Sequence, residues 1–386
     1  MTLLKGRPRL AVIITDLGTG GAESLLVRLL PRLKSRFDIT VHSLRTRGVH
    51  SETLESHNIS VNALGARTLA SMPAAFLHLA ESLRKDSPDI VQTHLYHADL
   101  LGGWAARKAG VGPIVWGIHN SGLGWSTMKP ATRAVIRACA WSSHRVPDRI
   151  VSCSQSGIAR HVEVGYASEK IEFIPNGFDL KQFRFDPQAA SEVRRELNVP
   201  LDAPMVGLVA RLDPQKDHGT FISMAAIMHR LRPDVHFILV GQGVDDPNGS
   251  VSQGITRSQI GSVCRLLGRR SDISRLMSAF DVLVSSSIAE AFPLVIGEAM
   301  ATAVPCVVTD VGDSALIVGD TGRVVAPRDA DALAAACLDL IAMQADTRRA
   351  LGESARDRIA THFDLDTIAD RYADLYERML VRSDRR

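Results

Sequence analysis

The chain has 386 residues, 45% of them apolar and 23% charged, with a mean hydropathy of +0.04. That length exceeds one ordinary hydrophobic core and implies two domains, and the composition is that of a soluble globular protein. No apolar run approaches the ~18 residues of a spanning helix, and the apolar stretch 10–14 meets Asp16 too soon to be a secretion signal, so a cytoplasmic location is expected.

The net charge of +3 divides unevenly: residues 1–180 carry 21 Lys and Arg against 14 Asp and Glu, the remainder 24 against 28. The front surplus of +7 fits an anionic partner, such as the inner face of a membrane or a phosphorylated acceptor, and equally fits solvated surface. Basic residues do not alternate with aromatics as single-stranded nucleic acid requires, so no nucleic acid is expected. The five cysteines (Cys139, Cys153, Cys264, Cys306 and Cys337) lack disulfide or zinc-ligand spacing.

In chain order, residues 10–14 read as a buried strand, Gly18-Thr-Gly-Gly21 as a tight turn, and 22–33 as a helix with Leu25, Leu26, Leu29, Leu30 and Leu33 on one face. Strands follow at 38–44, 90–93, 113–118 and 149–153, with helices between them, one at 74–84. After the polar stretch 179–202 the alternation restarts. Strands at 205–210, 235–240, 265–267, 281–285, 305–309 and 322–325 accompany a helix at 219–231. A last helix, 365–381, carries Ile368, Tyr372, Leu375, Tyr376 and Leu380 on one face. Strand–helix alternation in two series predicts an α/β fold of two Rossmann-like domains facing across a cleft. The front domain covers 1–180, the second 181–364, and the helix of 365–386 packs back on the front domain. Ligands bind outside the carboxyl ends of such strands, which places the site in the cleft.

The most informative stretch is Ser287-Ile-Ala-Glu290-Ala-Phe-Pro-Leu-Val-Ile-Gly-Glu298. It follows a strand, and Pro293 suits a helix start. Glu298 lies one turn into that helix, and its side chain leans back toward the loop bearing Glu290. Backbone N–H groups around Phe292, Pro293 and Leu294, with the helix dipole, form an anion cradle between two hydroxyl acceptors, which suits a nucleotide sugar. A first-turn Glu is also an ordinary dipole partner, so the pair alone does not decide. The strand 205–210 ends in Arg211-Leu-Asp-Pro-Gln-Lys216, two cations able to clamp a diphosphate. The loops carrying Arg211 and Glu290 hold no Asp-x-Asp triplet to bind a divalent ion, so no metal is expected and the cations must neutralise the leaving group.

These motifs, with Gly20-Gly21-Ala-Glu, Ser152-Cys-Ser154, Ile174-Pro-Asn-Gly177, Val240-Gly-Gln-Gly243 and Leu267-Gly268-Arg269, resemble in order and spacing the family-4 (group 1) glycosyltransferases of GT-B fold. The resemblance runs nearly end to end, and it implies that 1–180 is the acceptor-side domain and 181–364 the nucleotide-sugar donor domain. It implies a retaining, metal-independent transfer of a hexosyl unit from a UDP- or GDP-sugar to a glycan or lipid-linked acceptor in cell-surface polysaccharide or glycolipid synthesis, with no cofactor besides the donor. It also implies that Glu290 binds donor-sugar hydroxyls, Glu298 the ribose, and Arg211 and Lys216 the diphosphate. Gly20 and Gly21 would approach the phosphates, Gly268 and Arg269 would meet the base, and His119 would stand beside the reacting carbon. By the same resemblance, a leaving-group phosphate oxygen would take the acceptor's proton on the same face and neither acid would be a nucleophile, unlike the paired carboxylates of most glycosidases.

Three departures bear on the sugar subsite. Ala291 follows the first acid where the family has Gly, Ala303 stands at another usual Gly, and the loop from Val311 lacks the usual Gly-Gly and Pro-Glu. On the acceptor side, His94, His97 and Asp99 resemble a cleft-lining stretch. Trp125, Lys129, Arg133, Arg137, Trp141 and Arg145 describe a basic, Trp-bearing helix suited either to a bilayer surface or to covering the sheet. The alternatives on this fold are a sugar-nucleotide epimerase, a glycosyl phosphorylase, or a binding protein without turnover. The front loop is not Gly-x-Gly-x-x-Gly, which argues against a dinucleotide.

Overall fold

The computed structural model describes residues 6–66, 68, 71–120 and 128–383. The chain forms two units, Met1–Gly177 with Leu365–Arg386, and Phe178–Asp364. Among the described residues the front unit holds strands β1 (Arg9–Ile14), β2 (Asp38–Ser43), β3 (Ser60–Ala63), β4 (Ile90–His94), β5 (Ile114–Ile118), β6 (Arg149–Ser152) and β7 (Ile171–Phe173). They pair in parallel in the order β3-β2-β1-β4-β5-β6-β7. The rear unit holds β8 (Met205–Val209), β9 (His236–Val240), β10 (Cys264–Leu267), β11 (Val282–Ser285), β12 (Cys306–Thr309) and β13 (Arg323–Val325), parallel in the order β10-β9-β8-β11-β12-β13.

Both units are therefore Rossmann-like α/β, as the alternation predicts. Central strands such as Ile114–Ile118 and Val282–Ser285 are buried throughout, because helices cover both faces of a parallel sheet. Strand order reverses beside β1 and β4 in the front sheet and beside β8 and β11 in the rear one. At such switch points neighbouring connections diverge and leave a crevice at the carboxyl ends. The sequence reading misses β3 and β7. Both are edge strands, and Ser60, Asn62 and Ala63 are exposed.

The helix Leu365–Ser383 belongs to the front core, where Leu365, Ile368, Tyr372 and Tyr376 pack with Leu26, Leu30 and Phe37. The Tyr376 hydroxyl donates to Gln92 Oε1 at 3.2 Å, and Arg36 reaches Asp374 at 3.0 Å and Glu377 at 2.6 Å. The rear unit starts at Phe178, whose ring stacks on Phe292 at 6.1 Å and whose N–H donates to the Phe363 carbonyl at 2.8 Å. All five cysteines are buried free thiols. No helix among the described residues is long and apolar enough to cross a membrane.

Candidate functional site

In the rear unit, the loops that leave β8, β9, β10, β11 and β12 are stitched side by side. Leu212 N–H donates to the Gln242 carbonyl (2.8 Å), Gly241 N–H to the Leu267 carbonyl (3.0 Å), and Ile288 N–H to the Gln215 carbonyl (2.8 Å). Ser286 Oγ bonds the Lys216 and Asp217 carbonyls at 3.0 and 3.1 Å, and Thr309 Oγ1 bonds the Ser287 carbonyl at 2.6 Å. Glycine is required at two of these crossings. A Cβ on Gly241 (φ 154°) would strike the Ala210 carbonyl, and one on Gly312 (φ 58°) would strike the Glu290 carbonyl.

This lattice fixes a charged cluster. Lys216 Nζ is ion-paired with Glu290 Oε1, which also accepts from Ser287 Oγ at 2.7 Å. The side chains of Lys216 and Glu290 are 21% and 11% exposed, whereas that of Arg211 is 60% exposed and rests on Asp213 at 3.0 Å. The two cations are thus not equivalent: Lys216 is held within the cluster, and Arg211 lies exposed on Asp213. Asp217 caps the next helix, His218–Leu231, from the left-handed region (φ 45°), with its carboxylate on Thr220 N–H at 3.2 Å. Asp is one of the few residues that tolerate this conformation.

Glu298 lies in the helix Leu294–Ala301 and is 9% exposed. Pro293 is the N-cap and has no amide hydrogen, so the cradle's donors are Phe292 and Leu294. Gly297 is where Phe178 packs; any Cβ would collide with that ring, which explains why the Pro-Asn-Gly-Phe stretch accompanies this helix. Gly268 leaves room for the Asp245 carboxylate, and Arg269 is exposed. Asp-x-Asp triplets do occur elsewhere, at 329–331 and 364–366. There Asp329 caps Ala332 N–H at 2.8 Å, and Asp366 is ion-paired with Arg32. No group of three or more potential metal ligands occurs among the described residues.

In the front unit, Gly20 caps the helix Gly21–Leu33, and a Cβ there would strike the Glu23 carboxylate, three residues on, which folds back as in a capping box. His94 ends β4, His119 follows β5, and His94 Nδ1 lies 2.8 Å from His119 Nε2. Burial holds His94 well below the usual imidazole range and lowers His119 to about 4. Both rings are neutral at pH 7, so one nitrogen donates and the other accepts, and this bond couples the tautomers of the two rings. Below them Asp99 is fully buried, takes the Thr93 hydroxyl at 2.5 Å and Gly117 N–H at 3.5 Å, and is pushed up to about 8 by burial.

His94 and Asp99 expose 1% and 0% of their surface, so the expectation that they line an acceptor cleft is corrected: His94 bonds His119, and Asp99 bonds Thr93 and Gly117 within the core. His97 is half-buried, with its imidazole lowered by burial and the charge of Arg45. Ser152-Cys-Ser154 proves to be a helix start, with Ser154 Oγ accepting from Gly157 N–H at 3.1 Å. Trp125 lies outside the described residues. The basic segment forms the helix Pro130–Ser143, on which Trp141 (57% exposed) stacks with Trp104 (37% exposed) at 6.4 Å, with Arg145 4.4 Å from the Trp141 ring. Sequence reasoning gave no role to Ser287. A hydroxyl three residues before Glu290 was the available signal.

Comparison with known proteins finds matches along both units. A family model described as Glycosyltransferase Family 4 matches residues 19–182, and one described as Glycosyl transferases group 1 matches 203–343. The UDP-Gal:alpha-D-GlcNAc-diphosphoundecaprenol alpha-1,3-galactosyltransferase of Escherichia coli is 28% identical over 80% of each chain. The alpha-maltose-1-phosphate synthase of Mycolicibacterium smegmatis is 25% identical over 93% of this chain and 96% of its own. Among solved structures, Anabaena HepE in complex with UDP and glucose superposes with a TM-score of 0.85 at 24% identity, over 96% of this chain and 100% of that one. With a family-4 segment in front, a group 1 segment behind and the GT-B pair of Rossmann-like sheets, the chain belongs to the group 1, family-4 glycosyltransferases.

Proposed function

We propose that this glycosyltransferase moves a hexosyl unit from a UDP- or GDP-sugar to a glycan or lipid-linked acceptor, with retention of anomeric configuration and without a metal ion. The observation that carries the reading is the Lys216–Glu290–Ser287 cluster, held at the carboxyl ends of β8 and β11 beside the helix of Glu298. Glu290 is already committed to a cation and a hydroxyl, which suits a group that orients sugar hydroxyls better than a nucleophile. Lys216 and Arg211 carry the charge of the departing diphosphate, Lys216 as a fixed point and Arg211 by closing onto it. Phe292 and Leu294 amides add donors at the helix start. A diphosphate oxygen accepts the acceptor's proton as the new bond forms on the face the leaving group vacates. His119, neutral and fixed by His94, supplies one hydrogen bond to the donor sugar or the acceptor without a competing charge.

The relatives support the substrate class. The Escherichia coli enzyme acts on a diphosphoundecaprenol-linked sugar, and the Anabaena structure contains UDP and glucose. Cell-surface polysaccharide or glycolipid assembly at the inner face of the membrane follows for this chain. The exposed Trp104–Trp141 stack with Arg145 gives that surface an interfacial anchor. The test is incubation with UDP- and GDP-sugars and short-chain polyprenyl acceptors in excess EDTA, reading the product anomer by NMR. An α-linked product from an α-donor is expected; an inverted product or one that requires added metal contradicts the reading.

A further inference from the structure

A cavity of ≈ 440 Å³ opens in the rear unit at the amino ends of β11 and β12, the opposite end of the sheet from Lys216 and Glu290. β11 alone, four residues long, separates the two by about 13 Å. The cavity's apolar surface comes from Phe280, Pro305 and Phe185, the last 55% exposed. Four arginines line it, Arg184, Arg348, Arg349 and Arg356, against two acids, Asp281 and Glu353. The balance is more positive than that count. Asp281 is shared, with Arg348 at 3.1 Å and Arg194 at 2.7 Å. Arg356 is spent on the carbonyls of Phe183 (2.8 Å), Leu180 (3.1 Å) and Ala301, so these bonds leave its charge uncancelled.

Two guanidinium groups remain available. Arg184 has no hydrogen bond or ion pair among the described residues, and Arg349 has only a 3.8 Å approach to Asp346 with both side chains exposed, a contact worth little. Guanidinium forks pair with the oxygens of carboxylate and phosphate alike, and the surplus positive charge of this wall favours the more highly charged phosphate. We infer that this cavity is a second ligand site, which takes a small organic phosphate: the phosphate on Arg184 and Arg349, the flat apolar body against Phe185 and Phe280. The positive wall set by Arg356 rejects cations and favours a dianion over a monoanion.

The test uses 1-naphthyl phosphate, read by fluorescence anisotropy on the full chain, with Lys216→Ala as a control for the other end of the sheet. Saturable binding is expected, at least tenfold weaker in the exposed double variant Arg184→Ala/Arg349→Ala and unchanged in Lys216→Ala. Phe185→Ala weakens it further, and inorganic phosphate competes poorly. The inference is overturned if no saturation occurs at millimolar probe, if the double variant binds as well as wild type while melting normally, if Lys216→Ala alone abolishes binding, or if inorganic phosphate binds equally well.

Discussion

Removing Lys216 and removing Arg211 should have different signatures, although the sequence presents them as one clamp. Lys216 is mostly buried against Glu290, and truncation takes the cation from a carboxylate that is 11% exposed. Breaking a fully buried pair costs about 3–5 kcal/mol; residual access to water at this pair reduces that to roughly 1–3 kcal/mol of folding stability. On the proposed mechanism the same substitution also removes an electrostatic donor to the leaving diphosphate, worth about 2.7–4 kcal/mol, or 10²–10³-fold in kcat. Arg211 is 60% exposed, so its ion pair with Asp213 contributes about 0–1 kcal/mol to stability, while its loss from the diphosphate costs turnover on the same scale as that of Lys216. Thermal melts of both alanine variants, with single-turnover release of the nucleoside diphosphate, separate the terms. Lys216→Ala should lose both Tm and turnover, Arg211→Ala turnover alone. Turnover within threefold of wild type in Lys216→Ala, or equal losses of Tm in the two, would refute the reasoning.

Three further outcomes follow from the geometry. Asp99 is raised to about 8 in the folded chain, so the unfolded chain ionises first, and wild-type stability is lost as pH rises from about 4 to 8. Asp99→Asn should therefore gain on wild type steadily across that window in denaturant titrations, and a constant difference would contradict the assignment. His94→Phe should lower kcat by about 10–100-fold with donor affinity unchanged, because it removes the ring partner of His119 rather than a donor contact, and a parallel loss of donor affinity would argue against a positioning role. Ala303 sits at φ 60°, which costs a non-glycine residue about 1–2 kcal/mol against the 0.5–1 kcal/mol of entropy that glycine loses. Ala303→Gly should then raise Tm by about 1–4 °C, and a fall would mean that other contacts hold this turn.

The fold was legible where burial wrote itself as apolar runs. β1, β4, β5, β8, β9, β11 and β12 all lie within a residue or two of their expected positions, because a strand covered on both faces has no polar alternation to blur it. The edge strands β3 and β7 were not legible, since Ser60 and Asn62 or a three-residue run of half-buried side chains look like loop. At the site, spacing places Glu290 and Glu298 on a loop and the helix after it, but says nothing of which partner each takes. The pairing of Lys216 with Glu290 bridges 74 positions, and that of His94 with His119 bridges 25, through strands that meet only in the folded sheet. Ala303 is the reverse case: the departure from a usual glycine was visible, and the left-handed backbone at φ 60° shows why glycine is usual there.

The proposed nucleotide site lies at the carboxyl ends of β8 and β11. Calorimetric titration of wild type and Lys216→Ala with UDP, GDP and ADP, in EDTA, tests it most directly. One of the three nucleotides should bind wild type at micromolar concentration, and the variant at least tenfold more weakly. If none binds at millimolar concentration, or if the variant binds as tightly as wild type, the cluster at these strand ends is not where the donor is held.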